Sequence, residues 1–331
     1  MLTRINIKNL FNVYNYDIDL SNADGSSVKF ITAPNGYGKT TILEFIYASM
    51  MQSYEIMFEV PFNQFSMFYN EADAAVAYLY SVTREDEKSN AIDTDLVQTL
   101  SKNLVIHLVR IIEDKETLIE DFTVVQTADG KIVTIGNSGN TKMFFESRAC
   151  YYLNDHRLLS IKFTTSDDSI IIEDRPRAIE RLASYPKELK DILESPELSM
   201  LYEPRITCFR EIITRCDFAN KHLEIDKRFG FRFVVDDQLH TILFLDQLSS
   251  GEKQMLIQVF ELLFRAESRM LVMIDEPELS LHMMWQMNYL KNLSEIAKLR
   301  GFQCIVATHS PQIFNSLWSK SIDLFTLSSQ Q

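Results

Sequence analysis

The stretch Ala33-Pro-Asn-Gly-Tyr-Gly-Lys-Thr-Thr41 constrains this chain more than any other. It stands between an apolar run, Val28-Lys-Phe-Ile-Thr32, and a run compatible with a helix, Thr41-Ile-Leu-Glu-Phe-Ile-Tyr-Ala48. A glycine-rich loop in that setting turns successive backbone N–H groups toward one point, with the positive end of a helix dipole behind them. Such a loop cradles phosphate. The backbone from Gly36 to Lys39 supplies the cradle, Lys39 neutralises the outer phosphate oxygens, and the Thr40 hydroxyl is placed for Mg²⁺. Asn35, Gly36, Tyr37, Gly38, Lys39, Thr40 and Thr41 are the candidate nucleotide contacts. Ala33 stands where the usual pattern has a first glycine, and a residue this small should still fit.

Three further motifs lie near the other end. Leu271-Val-Met-Ile-Asp-Glu-Pro-Glu278 reads as a buried parallel strand with acids at its C-terminal tip. Ligands of open α/β sheets bind at that edge. Asp275 would reach Mg²⁺, directly or through water, and Glu276 would take a proton from an attacking water or orient it. Leu248-Ser-Ser-Gly-Glu-Lys-Gln254 precedes the helical run Met255–Phe264. Alone it is a helix-capping sequence; its place 17 residues before the second motif's strand gives it weight. Cys304-Ile-Val-Ala-Thr-His-Ser-Pro311 is another apolar strand with a polar tip, carrying His309. A lone strand-end histidine is usually structural; the order of the four motifs reverses that expectation.

In that order the chain resembles ABC-type ATPases of the SMC-like and OLD-like branch, a group often placed under the AAA label in bacterial DNA repair and anti-phage defence. APNGYGKTT looks like Walker A, LSSGEKQ like the ABC signature, MIDEPELSLH like Walker B running into the D-loop, and ATHSP like the switch-histidine loop. The resemblance covers residues 1–48 and 240–331. It implies a homodimer, or a higher even-numbered assembly, in which each ATP with its Mg²⁺ lies between Walker A of one chain and the signature of the other. Ser249, Ser250 and Gly251 are then nucleotide contacts, with Ser249 and Gly251 touching the γ-phosphate in trans and His309 sensing it. Lys39, Glu276 and His309 are the catalytic candidates, and Thr40 and Asp275 the Mg²⁺ ligands. No Q-loop glutamine is visible; Asn154, Asp155 and Arg157, after the apolar Tyr151-Tyr-Leu153, are the candidate replacements.

The expected fold is α/β, a P-loop ABC-type ATPase head with an antiparallel β subdomain and a helical lobe. The nucleotide-binding core is expected at 1–48 and 240–331, with the insertion at 49–239. Within the insertion, residues 74–81, 104–112, 122–126 and 131–135 read as strands, the last two flanking the hairpin signal Ala128-Asp129-Gly130. The aromatic and methionine-rich run 54–70 should pack beneath that sheet, and 84–90 should be a solvated loop. Residues 176–229 read as helical, interrupted at Pro186 and punctuated by Pro196 and Pro204, and the Arg/Lys residues of 205–228 read as a salt-bridged helix surface. Residues 231–235 and 241–245 form a hairpin that delivers the signature. No sustained heptad pattern calls for a long coiled coil.

Composition narrows the function. No run approaches the roughly 20 apolar residues of a membrane span, and the N-terminus lacks the apolar block of a signal peptide, so a cytosolic protein without membrane contact is expected. The four cysteines form no CxxC pair, which argues against zinc and disulfides. A net charge of −13 makes any nucleic-acid contact local or supplied by a partner. Only 22 residues follow His309, too few for a second catalytic domain. The expected function is therefore an ATPase subunit whose ATP-dependent dimerisation controls a separate effector, with a nuclease the expectation, in a phage-defence or DNA-maintenance complex. A RecF-like DNA-binding repair ATPase is the alternative. A transporter nucleotide-binding subunit is disfavoured by the OLD-like D-loop, with His282 at its end, and by the large mixed insertion.

Overall fold

The computed structural model describes residues 1–21, 27–71, 75–85, 100–127, 129–153, 181–313 and 321–329. These form two compact units, one holding the described residues of 1–150 and 322–329, the other residues 151–153 and the described residues of 181–321.

The first unit is built on a seven-stranded antiparallel sheet in the order β2-β1-β4-β5-β6-β7-β8. The strands are β1 (Leu2–Leu10), β2 (Tyr14–Asp19), β4 (Gln64–Asn70), β5 (Val76–Glu85), β6 (Leu100–Ile112), β7 (Lys115–Thr127) and β8 (Ile132–Gly136). Period-two alternation sets the register: Ile5 and Ile7, Phe65 and Met67, Tyr80 and Val82, Leu104 and Ile106, and Phe122 and Val124 are all buried. β6 and β7 are 13 residues each, joined by Glu113 and Asp114 with φ 49° and 61°. Two left-handed residues in a two-residue connection match the right-handed twist of the strands. The β7–β8 hairpin turns at Gly130, where Thr127 N–H donates to Lys131 O at 2.8 Å, and α3 (Gly139–Glu146) follows β8.

In the run 54–70, Tyr54, Met57, Phe58, Phe62, Phe65, Met67 and Tyr69 are buried, but its second half is β4 of the sheet itself and not a layer beneath it. α2 (Glu55–Glu59) buries Met57 and Phe58, and the rings of Phe62 and Phe65 meet Phe45 of α1 (Lys39–Met51) edge-on. Arg84 and Glu85 correct the start of the loop expected at 84–90, whose residues 86–90 lie outside the described residues. Arg84 lies in β5 and donates to the carbonyls of Phe58 (2.8 Å), Val60 (3.1 Å) and Met57 (3.3 Å), and Lys102 Nζ also reaches Phe58 O at 2.9 Å. Two cations thus satisfy carbonyls that α2 leaves open at its C-terminal end. β3 (Val28–Thr32), buried throughout, leads into the glycine-rich loop and α1. β15 (Ser321–Asp323) lies beside β3, and the chain continues into α8 (Leu324–Ser329).

The second unit holds β9 (Cys150–Leu153), β13 (Leu271–Asp275) and β14 (Gln303–Thr308) side by side in the order β9-β13-β14. β13 and β14 are parallel, with Asp275 beside Ala307, and every residue of both is buried. Helices α4 (Tyr185–Glu194), α5 (Pro196–Cys216), α6 (Ser250–Phe264) and α7 (Met283–Arg300) pack with a small antiparallel sheet of β10 (Lys221–Asp226), β11 (Gly230–Val235) and β12 (Ile242–Leu243). Phe209, Phe231, Phe260 and Phe264 form one aromatic core, with Tyr185 stacked on Phe260 at 4.2 Å. Only glycine fits at the first residue of β11, Gly230, because a Cβ there would fall 1.7 Å from Pro186 O. Pro186 and Pro196 stand in the first turns of α4 and α5, where a missing N–H costs nothing, so Pro186 starts a helix instead of splitting one.

The helical expectation for 176–229 is corrected at its C-terminal part. α5 ends at Cys216, and Lys221–Asp226 is a strand paired with β11 in full antiparallel register. The basic run is accordingly split among α5, β10 and a turn. Arg215 pairs with Glu295, Lys221 with Glu252 and Arg228 with Asp226. The longest helix among the described residues is α5, at 21 residues, and none is long and apolar enough to cross a membrane.

Candidate functional site

In the first unit, seven expected contacts, Asn35 through Thr41, occupy one loop and helix start. Gly38 is the N-cap of α1 with φ 86°, and Gly36 has φ 89°. A glycine cap offers no side chain to the first-turn amides, and no acidic residue stands in that turn, so those N–H groups are available to an anion. Lys39 is buried, and its ammonium donates to the carbonyls of Ala33 (3.1 Å) and Pro34 (3.4 Å) of its own loop. Asn35 and Gly36 are exposed at the loop tip, and Thr40 and Thr41 are half-buried. Tyr37 holds the loop from outside: Tyr16 Oη donates to Tyr37 O at 2.9 Å, the Tyr14 ring stacks at 5.2 Å, and Phe325 meets it edge-on at 5.7 Å. The observed glycine conformations, the lysine placement and the open amides all fit a nucleotide's phosphates.

In the second unit, Asp275 ends β13 as a buried carboxylate. Glu276 follows in the left-handed region, φ 42°, with its N–H donating to Ala307 O at 2.9 Å. A glutamate held there is a strained residue that its surroundings must enforce. Next comes a 3₁₀ turn, Pro277–Ser280. His309, just past β14, has Nδ1 3.6 Å from Glu276 Oε1 and 3.1 Å from Glu278 Oε1. Glu278 is buried and accepts from Thr308 Oγ1 at 2.7 Å and His309 N–H at 2.9 Å. The structure therefore brings Glu276 and His309 together and adds Glu278, whose role was not expected although it stands in the same motif. Its signal was an acid three residues past Asp275, on a turn that folds back to the β14 tip. Ser310 Oγ donates to Gln286 Oε1 at 2.9 Å, tying the switch loop to the first turn of α7.

The signature segment is the start of α6. Ser249 is its N-cap: Ser249 Oγ accepts from Glu252 N–H at 3.3 Å, while Ser249 N–H donates to Glu252 Oε2 at 2.7 Å. This reciprocal capping box leaves Ser249 and Ser250 exposed and Gly251 half-buried. The other carboxylate oxygen of buried Glu252 meets Lys221 Nζ at 2.8 Å. Burial alone would raise the Glu252 carboxyl; the Lys221 ammonium and the Ser249 N–H outweigh it and hold the group below the usual carboxylate range. Lys221, counted in the sequence as one of a basic run, carried no signal of this partner 31 residues away. Further along α6, fully buried Glu261 accepts from Tyr151 Oη (3.1 Å) and Tyr185 Oη (2.5 Å) and pairs with Arg181 (3.1 Å). Asn154, Asp155 and Arg157, the proposed Q-loop replacements, lie outside the described residues.

Residues 145–315, more than half of the chain, match the family AAA_21, described as "AAA domain, putative AbiEii toxin, Type IV TA system". The chain belongs to this AAA family. It is thus an ATP-binding P-loop ATPase domain, in line with the resemblance drawn from the four motifs. A stretch of 90 residues is 33% identical to protein ea59 of Escherichia phage lambda, covering 25% of this chain and 17% of that protein. The chain therefore spans less than a fifth of that curated relative. Similar solved structures include the SMC head bound to the C-terminal winged-helix domain of ScpA (13% identity, 97% of this chain and 93% of that chain, TM-score 0.47). The SMC head domain from Thermotoga maritima is another (14% identity, 97% and 92%, TM-score 0.41). Nothing about this AAA domain's chemistry follows from those two likenesses.

Proposed function

We propose that this chain binds and hydrolyses ATP, and that ATP-dependent association of two copies controls a separate effector in a phage-defence or DNA-maintenance complex. The observation that carries the reading is the loop of residues 33–41: a buried lysine beside helix amides that no side chain caps, in a chain of an AAA family. The nucleotide-binding core is assigned to residues 1–48 and 240–331.

Thr40 and Asp275 would be the residues that hold Mg²⁺, a modest donor set of the kind this ion takes alongside phosphate and water oxygens, and the ion would supply charge neutralisation at the phosphates. The amides of Asn35 to Thr41 orient the phosphates, and Lys39 offsets their charge. Glu276 orients the attacking water and accepts its proton. His309, held by Glu278 beside Glu276, presents its ring to the γ-phosphate region. Ser249 and Ser250 are exposed and Gly251 is half-buried at the start of α6, where they can complete a second copy's site. A donor set split between two copies makes turnover wait for association. The family's toxin–antitoxin description and the likeness to a phage protein support a defence role, and a nuclease is the effector class proposed.

The test is Glu276→Gln. Hydrolysis should fall by about 10²–10⁴-fold, the worth of a general base, while ATP drives accumulation of a dimer seen by light scattering. Turnover at the parent rate would refute the assignment of Glu276.

A further inference from the structure

The exposed serines of the signature owe their arrangement to Glu252, and Glu252 has its own requirement. Its carboxylate is 5% exposed, and a buried carboxylate stays ionised only if both oxygens are matched. One oxygen caps Ser249 N–H; the other depends on Lys221 Nζ. Lys253, one residue on, turns its ammonium to Asp246 O and does not serve.

The chain places Lys221 by unusual means. Between α5 and β10, three non-glycine residues take left-handed conformations: Asp217 (φ 47°), Ala219 (φ 22°) and Asn220 (φ 59°). Such residues persist only where the surroundings over-determine them. Here Phe218 is buried, stacked on Phe233 at 5.3 Å and packed on Trp285 at 5.3 Å; the Trp285 indole N–H donates to Cys216 O, and Asp236 N–H donates to Asn220 O at 2.8 Å. The strained turn ends at Lys221, the first residue of β10, with its ammonium at Glu252.

We propose that Lys221 is a positioning residue for the signature: through Glu252 it sets Ser249, Ser250 and Gly251 in the arrangement a nucleotide meets, without touching the nucleotide itself. The inference rests on the ATP reading above and deepens it, because it assigns a residue outside every recognised motif to the same step.

Four variants of the full chain test it with Mg-ATP: Lys221→Met, Lys221→Arg, Glu252→Gln and the double Lys221→Met/Glu252→Gln. Binding of a fluorescent ATP analogue to Lys221→Met should stay within about twofold of the parent, since the loop of residues 33–41 is intact, whereas kcat falls about tenfold or more, as displaced groups lose reaction geometry. Amide exchange at residues 249–252 should quicken. Lys221→Arg should keep kcat near the parent value. The double variant should recover kcat to within about threefold, because glutamine makes the same capping bonds and brings no charge to match. A residue acting directly on phosphate would not be rescued in this way. A double variant as slow as Lys221→Met therefore overturns the proposal, as does Lys221→Met with parent turnover and parent exchange. Should Lys221→Met fail to fold, the double variant and Lys221→Arg decide. A parent chain that neither binds nor turns over ATP refutes the nucleotide reading, and the exchange comparison still decides whether Lys221 orders the loop.

Discussion

Replacing Glu261 with alanine should cost more stability than any other single carboxylate substitution on α6. Its side chain has no solvent exposure, and it gathers two tyrosine hydroxyls and the guanidinium of Arg181, itself 9% exposed. Alanine leaves that guanidinium without its carboxylate, and breaking a buried pair from one side costs about 3–5 kcal/mol. The hydroxyls of Tyr151 and Tyr185 lose their acceptor, at about 1 kcal/mol each, partly counted already. A total of about 4–6 kcal/mol would remove much of the 5–15 kcal/mol that an ordinary domain possesses. Urea unfolding followed by far-UV circular dichroism measures it, with the slope unchanged if the denatured state is the same. Glu261→Leu combined with Arg181→Met removes both charges and should return to within about 2 kcal/mol of the parent. The cluster should also fail in alkali. Burial, and then the Glu261 charge, push both tyrosines above their ordinary value, so the folded state keeps protons that the unfolded state releases; stability falls as pH rises past about 10. A loss below about 1 kcal/mol in Glu261→Ala would refute the view that this carboxylate is the required counter-charge.

Gly38→Ala should lose about 2 kcal/mol, from a left-handed φ of 86° and a Cβ that would lie 2.8 Å from Leu10 Cδ2, and should weaken ATP-analogue binding about tenfold or more. Gly36→Ala meets no atom within 4 Å and carries only the backbone cost, so equal thermal shifts and affinities for the two variants would count against the crowded cap as the cause. Acid should weaken the signature's anchor: Glu252 lies below its ordinary carboxyl value, so its ionised form stabilises fully above about pH 4.5 and that contribution is lost as pH falls through the lower folded value. The stability gap between parent and Glu252→Gln should shrink from pH 6 to pH 3 in thermal unfolding, and a gap that widens would show the carboxylate to be unfavourably buried.

What could be read along the chain, and what could not, divides by the distance over which the causes act. The glycine-rich loop, the two buried strands with polar tips and the capping serine of the signature are local devices, each complete within about ten residues, and each stands where its sequence placed it. Apart from Pro186, whose first-turn position is a local matter, the misreadings have remote causes. Arg84 looked like the first charge of a solvated loop, but the carbonyls of α2, some 24 to 27 residues earlier, capture it into β5. Lys221–Asp226 carries helix-compatible charge spacing, yet its backbone finds β11 as a partner, and the left-handed turn at 217–220 ends α5 before helix could continue. Glu261 went unremarked in the sequence, since a glutamate in the middle of a helix ordinarily belongs to the solvent face. It is buried because Tyr151 and Tyr185 reach it from 110 and 76 residues away. The same holds for Glu252, whose capping bond is local and legible but whose counter-ion is not. The parts of the site that would contact nucleotide are thus written in short motifs, while the groups that hold those motifs in shape are set by tertiary pairing, and substitution of the second kind is where an unrecognised loss of function should first be sought.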